Sequence, residues 1–88
     1  MSKNHKKIWI TGASSGIGKE LAKKFASEGW KVAVSARRKA ILDEMADDEN
    51  IFSYPLDVTD QDQINNVFAK IISDFSNLDL CVFSSGTY

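Results

Sequence analysis

The sequence predicts an α/β fold of three layers, with a parallel sheet between helices. Short apolar runs of strand length alternate along the chain with segments of helical periodicity, in the order β-α-β-α-β-α-β. The apolar runs are typical of strands that are buried on both faces. Right-handed crossovers between such strands give the expected spatial order 3-2-1-4. With 88 residues, the chain corresponds to one small domain.

The first strand is predicted at residues 6–11, and a glycine-rich turn leads from it into a helix over residues 16–27. One face of that helix is apolar and is expected to be buried; it carries Ile17, Leu21, Ala22 and Phe25. Gly29 suits the left-handed position that follows a helix end, so the helix is expected to stop just before it.

The second strand is predicted at residues 30–36, where Val32 and Val34 alternate with small residues. A short helix over residues 39–48 follows, with Ile41, Leu42 and Met45 facing inward. Residues 51–56 form the third strand. Pro55 lacks an amide hydrogen, so it indicates either an edge strand or the end of a strand.

The third helix, residues 60–75, has the clearest periodicity in the chain. Asp60 is expected to cap it, with Gln63 as the capping-box partner that reaches back to the Asp60 amide. Its apolar stripe consists of Ile64, Val67, Phe68, Ile71, Ile72 and Phe75. A fourth apolar strand is predicted at residues 78–83, and a turn follows it.

Composition and charge exclude several classes of function. The chain is 43% hydrophobic and 26% charged with a net charge of -1, which gives no reason to expect nucleic acid or a charged membrane surface as partner. No segment approaches the roughly 20 apolar residues that span a bilayer. His5 and Cys81 lie far apart, which argues against a metal site. A single cysteine fits a reducing cytoplasm.

The glycine turn between the first strand and helix has the spacing G-x-x-x-G-x-G. Gly12 lets the chain leave the strand sharply, Gly16 lets backbone approach a phosphate, and Gly18 lets the helix pack closely on the sheet. Exposed amides and the positive end of the helix dipole favour a diphosphate there. Hydroxyl donors lie beside the glycines at Thr11, Ser14 and Ser15. The alternative is a tight turn without a ligand.

Residues 11–18, Thr-Gly-Ala-Ser-Ser-Gly-Ile-Gly, resemble the T-G-x-x-x-G-x-G cofactor motif of the short-chain dehydrogenases/reductases, in the short rather than the extended type. The resemblance extends over residues 8–86 and implies a Rossmann-like, dinucleotide-binding N-terminal portion, so residues 1–88 are expected to form a truncated, incomplete domain. It also implies that Ser14 and Ile17 contact the cofactor phosphates while Gly12 frames the turn.

The end of the second strand indicates the cofactor. Where members of this family that bind NAD carry an acidic residue, this chain has Ala36, followed by Arg37 and Arg38. Without the carboxylate, a 2′-phosphate is not repelled, and a guanidinium can form charge-assisted bonds to it. NADP(H) is therefore preferred over NAD(H), with Arg37 as first contact and Arg38 as helper. A solvated basic pair that opens a helix is the alternative.

Two further loops resemble the family's adenosine site. By that resemblance Asp57 would accept a hydrogen bond from the adenine amino group, and the backbone of Val58 would contact the ring; a purely local capping role for Asp57 is the alternative. At the end of the fourth strand the family usually has N-N-A-G. This chain has Phe83-Ser84-Ser85-Gly86 instead, so a sheet-bracing asparagine is replaced, although Ser84 and Gly86 still offer backbone to the ribose.

The residues of hydride transfer are not found in this sequence. The resemblance implies a Tyr-x-x-x-Lys pair, but Tyr88 is the last residue and Tyr54 has valine four positions on. No catalytic residue is assigned, and the catalytic half is expected to be absent from this chain. The polypeptide alone is therefore expected to be inactive, marginally stable and prone to associate.

Three functions follow from these features. The first is the NADP(H)-binding portion of an oxidoreductase that acts on an alcohol or carbonyl substrate. The second is a non-catalytic dinucleotide-binding sensor, which Tyr-x-x-x-Lys in a longer reading frame would exclude. The third, binding of S-adenosylmethionine, is disfavoured by Ala36 and Arg37. Complete members of the family usually form homo-oligomers, with interfaces that are expected to lie mostly outside this chain.

Overall fold

A computed structural model describes residues 6–12, 16–57 and 59–83. The elements are β1 (Lys7–Thr11), α1 (Gly16–Ser27), β2 (Lys31–Ser35), α2 (Lys39–Met45), β3 (Ile51–Ser53), α3 (Gln61–Phe75) and β4 (Leu80–Phe83). The strands form one parallel sheet in the order β3-β2-β1-β4. The predicted α/β architecture and strand order are confirmed.

Packing on both faces of the sheet explains why its strands are apolar without strict alternation. One core cluster lies on the side of α1 and α2 and includes Ile8, Ile10, Val32, Val34, Ala22 and Leu42. The other lies on the side of α3 and includes Trp9, Ala33, Tyr54, Leu56, Ile71 and Phe75. Successive residues of β1 therefore enter opposite clusters, as the pleat requires.

Helix α2 and strand β3 end earlier than predicted, β2 is shorter by one residue at each end, and β4 begins at Leu80 rather than at residue 78. Helix α2 stops at Met45 rather than at residue 48, because the carboxylates of Asp47 and Asp48 are unfavourable at the negative end of the helix dipole. Strand β3 is the edge strand that Pro55 indicated, and its regular part ends at Ser53. The Tyr54 and Leu56 amides still donate to β2-side carbonyls, at 2.8 and 3.1 Å, on either side of the proline.

The buried face of α1 was predicted wrongly at its start. Ile17 is 74% exposed, whereas Gly18, Ala22 and Ala26 are buried against the sheet. These small residues recur every four positions, so they lie on one line along the helix and let it approach the strands closely. Ile17 lies to the side of this line and projects from the first turn of the helix.

The apolar stripe of α3 covers the sheet unevenly. Ile71 and Phe75 are buried, but Phe68 is 44% exposed even though its ring lies 6.0 Å from that of Trp9. The Tyr54 hydroxyl donates to Asp74 Oδ2 at 2.7 Å, and this bond ties the segment after β3 to the last turns of α3. The carboxyl half of α3 is thus the part that fixes the β3 end of the sheet.

Candidate dinucleotide-binding site

The carboxyl ends of the strands meet at one edge of the sheet, because all strands are parallel. Thr11 at the end of β1 pairs with Ser35 at the end of β2 and with Phe83 at the end of β4. The Gly12 amide donates to the Ser35 carbonyl at 2.8 Å, which anchors the start of the glycine turn to β2. Gly12 has φ of 74°, a left-handed conformation that favours glycine over residues with a side chain.

Helix α1 begins directly after this turn and points its amino terminus at the same edge. Its first turn contains no acidic residue, so no side-chain carboxylate in that turn opposes the positive end of the helix dipole. Ile17 is exposed there, and Gly18 is buried where the helix meets the sheet. A left-handed glycine at the end of β1, followed along the chain by a helix start without acidic residues, is an arrangement suited to a phosphate group.

A buried hydrogen bond stabilises the sheet beneath the turn. Trp9 Nε1 donates to Ser35 Oγ at 2.9 Å, and Ser35 is fully buried. The bond links β1 to β2 close to the carboxyl ends of both strands, just before the glycine turn. Sequence reasoning missed it, although a tryptophan within an aliphatic strand is a signal that its N–H needs a buried acceptor.

The two arginines follow β2 and reach solvent. Ala36 is buried, whereas Arg37 and Arg38 are exposed. Arg38 occupies the position before the first turn of α2, and its side chain makes no capping bond to that helix. Arg37 therefore lies at the carboxyl edge of the sheet, one strand over from the glycine turn.

Arg37 and Asp57 line one depression, about 310 Å³ in volume, together with Pro55, Leu56 and Gln63. It lies between the end of β2, the segment after β3 and the first turn of α3. The fold thus brings together the predicted phosphate-binding arginine and the predicted adenine-binding carboxylate, which are separated along the chain. A basic side chain and a carboxylate in one depression can serve two different parts of a nucleotide.

The Asp57 carboxylate is held by the residue two positions on. Asp57 Oδ1 accepts from the Thr59 hydroxyl at 2.6 Å and from the Thr59 amide at 2.9 Å. These bonds, with a smaller contribution from the Arg37 charge, hold the pKa of Asp57 below its usual value. Thr59 was not among the residues that the sequence singled out, although Asx motifs of this spacing are a known signal.

The amino terminus of α3 is capped, but not by the predicted reciprocal pair. Asp60 Oδ1 accepts from the Asp62 and Gln63 amides at 3.0 and 3.3 Å, which confirms Asp60 as the cap. The prediction that Gln63 returns to the Asp60 amide is wrong, because that amide already donates to the Asp57 carbonyl at 2.9 Å. Gln63 Oε1 accepts from the Asp57 amide at 2.9 Å instead.

Five predicted contacts lie outside the described residues, namely Ser14, Ser15, Val58, Ser84 and Gly86. In the part of the chain that the structure describes, no helix is long and apolar enough to cross a membrane. Within the same ranges, no three His, Cys, Asp or Glu side chains group closely enough to hold a metal ion.

Comparison with known proteins identifies the fold and its family. A family model described as short chain dehydrogenase matches residues 6–88. A dehydrogenase/reductase SDR family protein 7-like from Dictyostelium discoideum is 38% identical over an aligned length of 96 residues. The alignment covers 98% of this chain and 30% of the relative.

Two solved structures have the same arrangement of strands and helices. A variant of ElxO with NADPH bound superimposes with a TM-score of 0.86 and 34% identity, covering 94% of this chain and 36% of the other. The 3-ketoacyl-(acyl-carrier-protein) reductase from Brucella melitensis, complexed with NADH, superimposes with a TM-score of 0.82 and 29% identity. The match covers 86% of this chain and 32% of the reductase.

Both neighbours hold a nicotinamide dinucleotide, one of each type. The chain spans about a third of the length of the proteins that it matches. The match over residues 6–88 covers nearly all of it, and the chain belongs to the short-chain dehydrogenase family of oxidoreductases.

Proposed function

We propose that this chain binds NADP(H) along the carboxyl edge of its sheet, as part of an oxidoreductase that transfers a hydride between NADP(H) and an alcohol or carbonyl substrate. The observation that carries the preference is the exposed Arg37 after β2, next to Ala36, the position at which a carboxylate would favour NAD(H). A solved neighbour of each cofactor type supports a nicotinamide dinucleotide without choosing between them.

The pyrophosphate is proposed to lie over the start of α1. The left-handed Gly12 and the acid-free first turn of the helix fit a dianionic group, because amide dipoles and backbone clearance are what such a group needs. Gly16 would let the backbone approach the phosphate, and Gly18 lets α1 pack closely on the sheet. Ile17 would provide an apolar contact to the cofactor. Two hydroxyl groups from the turn, Ser14 and Ser15, are proposed as further donors.

The adenosine end is proposed to occupy the depression at the end of β2. Arg37 would bind the 2′-phosphate, and Arg38 would add to the positive potential. Asp57 would accept from the adenine amino group, with the Val58 backbone against the ring. Ser84 and Gly86 would offer backbone to the ribose. When bound, the nicotinamide supplies the hydride chemistry, and these residues only hold and orient the dinucleotide.

The proton-transfer residues are proposed to lie outside residues 1–88. Tyr54 is unsuited to the role, because its side chain is buried and its hydroxyl donates to Asp74. Burial, followed by that hydrogen bond and the Asp74 charge, raises the pKa of Tyr54 well above its usual value. A Tyr-x-x-x-Lys pair in the complete protein would support the enzyme, and its absence would favour a dinucleotide-binding sensor.

A cytoplasmic location, consistent with the single Cys81, belongs to the same proposal.

Replacement of Arg37 tests the cofactor preference. Arg37→Ala should weaken NADPH binding by about 2 kcal/mol, which is roughly 30-fold, because a hydrogen bond to a charged phosphate is lost. NADH lacks the 2′-phosphate, so its affinity should change less than about twofold. Arg38→Ala is the matched control and should cost NADPH binding much less. Equal losses of NADPH and NADH affinity in Arg37→Ala would overturn the assignment.

A further inference from the structure

The two carboxylate oxygens of Asp57 have different surroundings. Oδ1 accepts both the amide and the hydroxyl hydrogen of Thr59, at 2.9 and 2.6 Å. In residues 6–12, 16–57 and 59–83, no hydrogen bond reaches Oδ2. An ionised carboxylate is an acceptor only, with capacity on both oxygens. The loop therefore satisfies one oxygen and leaves the other for a donor from outside.

Two donors on the same oxygen also fix the direction of the other. The carboxylate would rotate freely about its terminal torsion if it were unbonded, because that torsion has only a broad preference. The Thr59 hydroxyl and amide together restrict that rotation, because both donate to the same oxygen. Asp57 lines the depression that contains Arg37, so the orientation of its carboxylate decides which donors can be bound there.

The backbone beneath the carboxylate is held as well. The Asp57 amide donates to Gln63 Oε1 at 2.9 Å, and Gln63 Nε2 donates to Asp60 Oδ2 at 3.2 Å. The Asp57 carbonyl accepts from the Asp60 amide at 2.9 Å. The backbone amide and carbonyl of Asp57 are thus held by the capped start of α3. The Asp57 side chain is held by Thr59.

We propose that Thr59 is a positioning residue which presents Asp57 Oδ2 to the exocyclic amino group of adenine, and so makes the site selective for a 6-amino purine over a 6-oxo purine. The inference rests on the proposed function, since it requires a dinucleotide with adenine in the depression. A 6-amino group donates to a carboxylate. A 6-oxo group presents an acceptor, so two acceptors would face each other and the 6-oxo base would be rejected.

The valine variant isolates the hydroxyl. Thr59→Val keeps the β-branched shape and the backbone amide but removes the 2.6 Å bond to Asp57 Oδ1. The carboxylate then regains rotational freedom that must be lost again when adenine binds. Thr59→Ser keeps the hydroxyl and is the matched conservative variant.

The test compares two reduced dinucleotides, NADPH and its hypoxanthine analogue, by titrating nicotinamide fluorescence with the full 88-residue chain. The unmodified chain should bind NADPH at least about tenfold more tightly than the analogue. Thr59→Val should reduce this ratio roughly fivefold, by the loss of about one hydrogen bond's contribution, and Thr59→Ser should preserve it. A ratio within one variant is insensitive to the fraction of folded protein, so a general loss of stability does not imitate the effect.

The remaining outcomes separate the two proposals. An unchanged ratio in Thr59→Val, with a reduced ratio in Asp57→Ala, would overturn the positioning role and leave NADP(H) binding intact. Equal losses in the valine and serine variants would also overturn it, because the hydroxyl would then not be the cause. Failure of the unmodified chain to bind either dinucleotide would overturn the proposed function and this inference with it.

Discussion

At the scale of single residues, the site joins opposite charges across one depression. Arg37 lies within electrostatic reach of Asp57 and contributes to lowering its pKa. The two groups form no close ion pair, and the hydrogen bonds of the Asp57 carboxylate come from Thr59. A site of this kind keeps its guanidinium available to an anion and its carboxylate available to a donor.

The pKa of Asp57 gives a prediction for pH dependence. Thr59→Val should raise this pKa toward its usual value, because the first cause of its depression is the hydrogen bond from the threonine hydroxyl. In the unmodified protein, a pKa lowered by folding stabilises the fold above the unfolded-state value. That contribution is lost as the pH falls through the folded-state value. A carboxyl ¹³C NMR titration measures both variants, and identical values would contradict the assigned cause.

Residue types could be predicted at this scale, but their hydrogen bonds could not. Arg37 and Asp57 were identified from their positions after predicted strands. Thr59 and the route of the Gln63 side chain were missed, because they depend on which amide is already bonded. The Asp60 amide is occupied by the Asp57 carbonyl, and only the folded loop reveals this.

At the scale of elements, the start of α3 organises the loop that is proposed to hold the adenosine. Asp60 caps the helix and also holds Gln63, which in turn holds the Asp57 amide. Loss of the Asp60 cap should therefore also loosen the hydrogen bonds that hold the loop at Asp57. Helix α1, with Gly18, Ala22 and Ala26 against the sheet, plays the equivalent part where the pyrophosphate is proposed to lie.

Replacement of the cap should measure this organisation. Asp60→Ala should lower the free energy of unfolding by about 1 kcal/mol, because two amides at the start of α3 lose their acceptor. Asp62→Ala is the control, since it removes first-turn charge without removing the cap, and should cost about 0.3 kcal/mol. Urea titrations followed by circular dichroism give both values. Equal effects of the two substitutions would show that the cap contributes nothing beyond charge.

Helical periodicity predicted the elements well but not every buried face. Ile17 was assigned to the buried side of α1, yet it is 74% exposed. The prediction of Ala22 as buried is confirmed, but the pattern missed Gly18 and Ala26, which lie on the same line against the sheet. The end of α2 was also predicted too late, because the apolar pattern does not show where the acidic residues after Met45 make a further helical turn unfavourable.

At the scale of the whole molecule, the order of the strands follows from parallel pairing and crossover handedness. These rules leave a few doubly wound orders, and β3-β2-β1-β4 is the one typical of the dinucleotide-binding fold that the glycine turn indicated. What the rules leave open is the surface beside β4. Leu80 and Cys81 of β4 are exposed, and Phe68 of α3, whose ring lies against Trp9 of β1, is 44% exposed.

This surface gives a prediction for the 88-residue polypeptide in solution. An edge strand with apolar neighbours pairs readily with another chain, so the weight-average mass should rise with concentration in sedimentation equilibrium. Replacing Leu80 by Lys, which adds charge to the edge, should reduce the association. A concentration-independent monomer with a sharp, reversible unfolding transition would contradict the prediction.

The preference for NADP(H) is the central claim, and a side-by-side titration of the unmodified chain tests it most directly. NADPH and NADH differ only at the 2′-phosphate, and both report binding through the same nicotinamide fluorescence. At low micromolar protein, we expect NADPH to bind at least about tenfold more tightly, from one charge-assisted contact to Arg37. Equal affinities, or tighter binding of NADH, would contradict it.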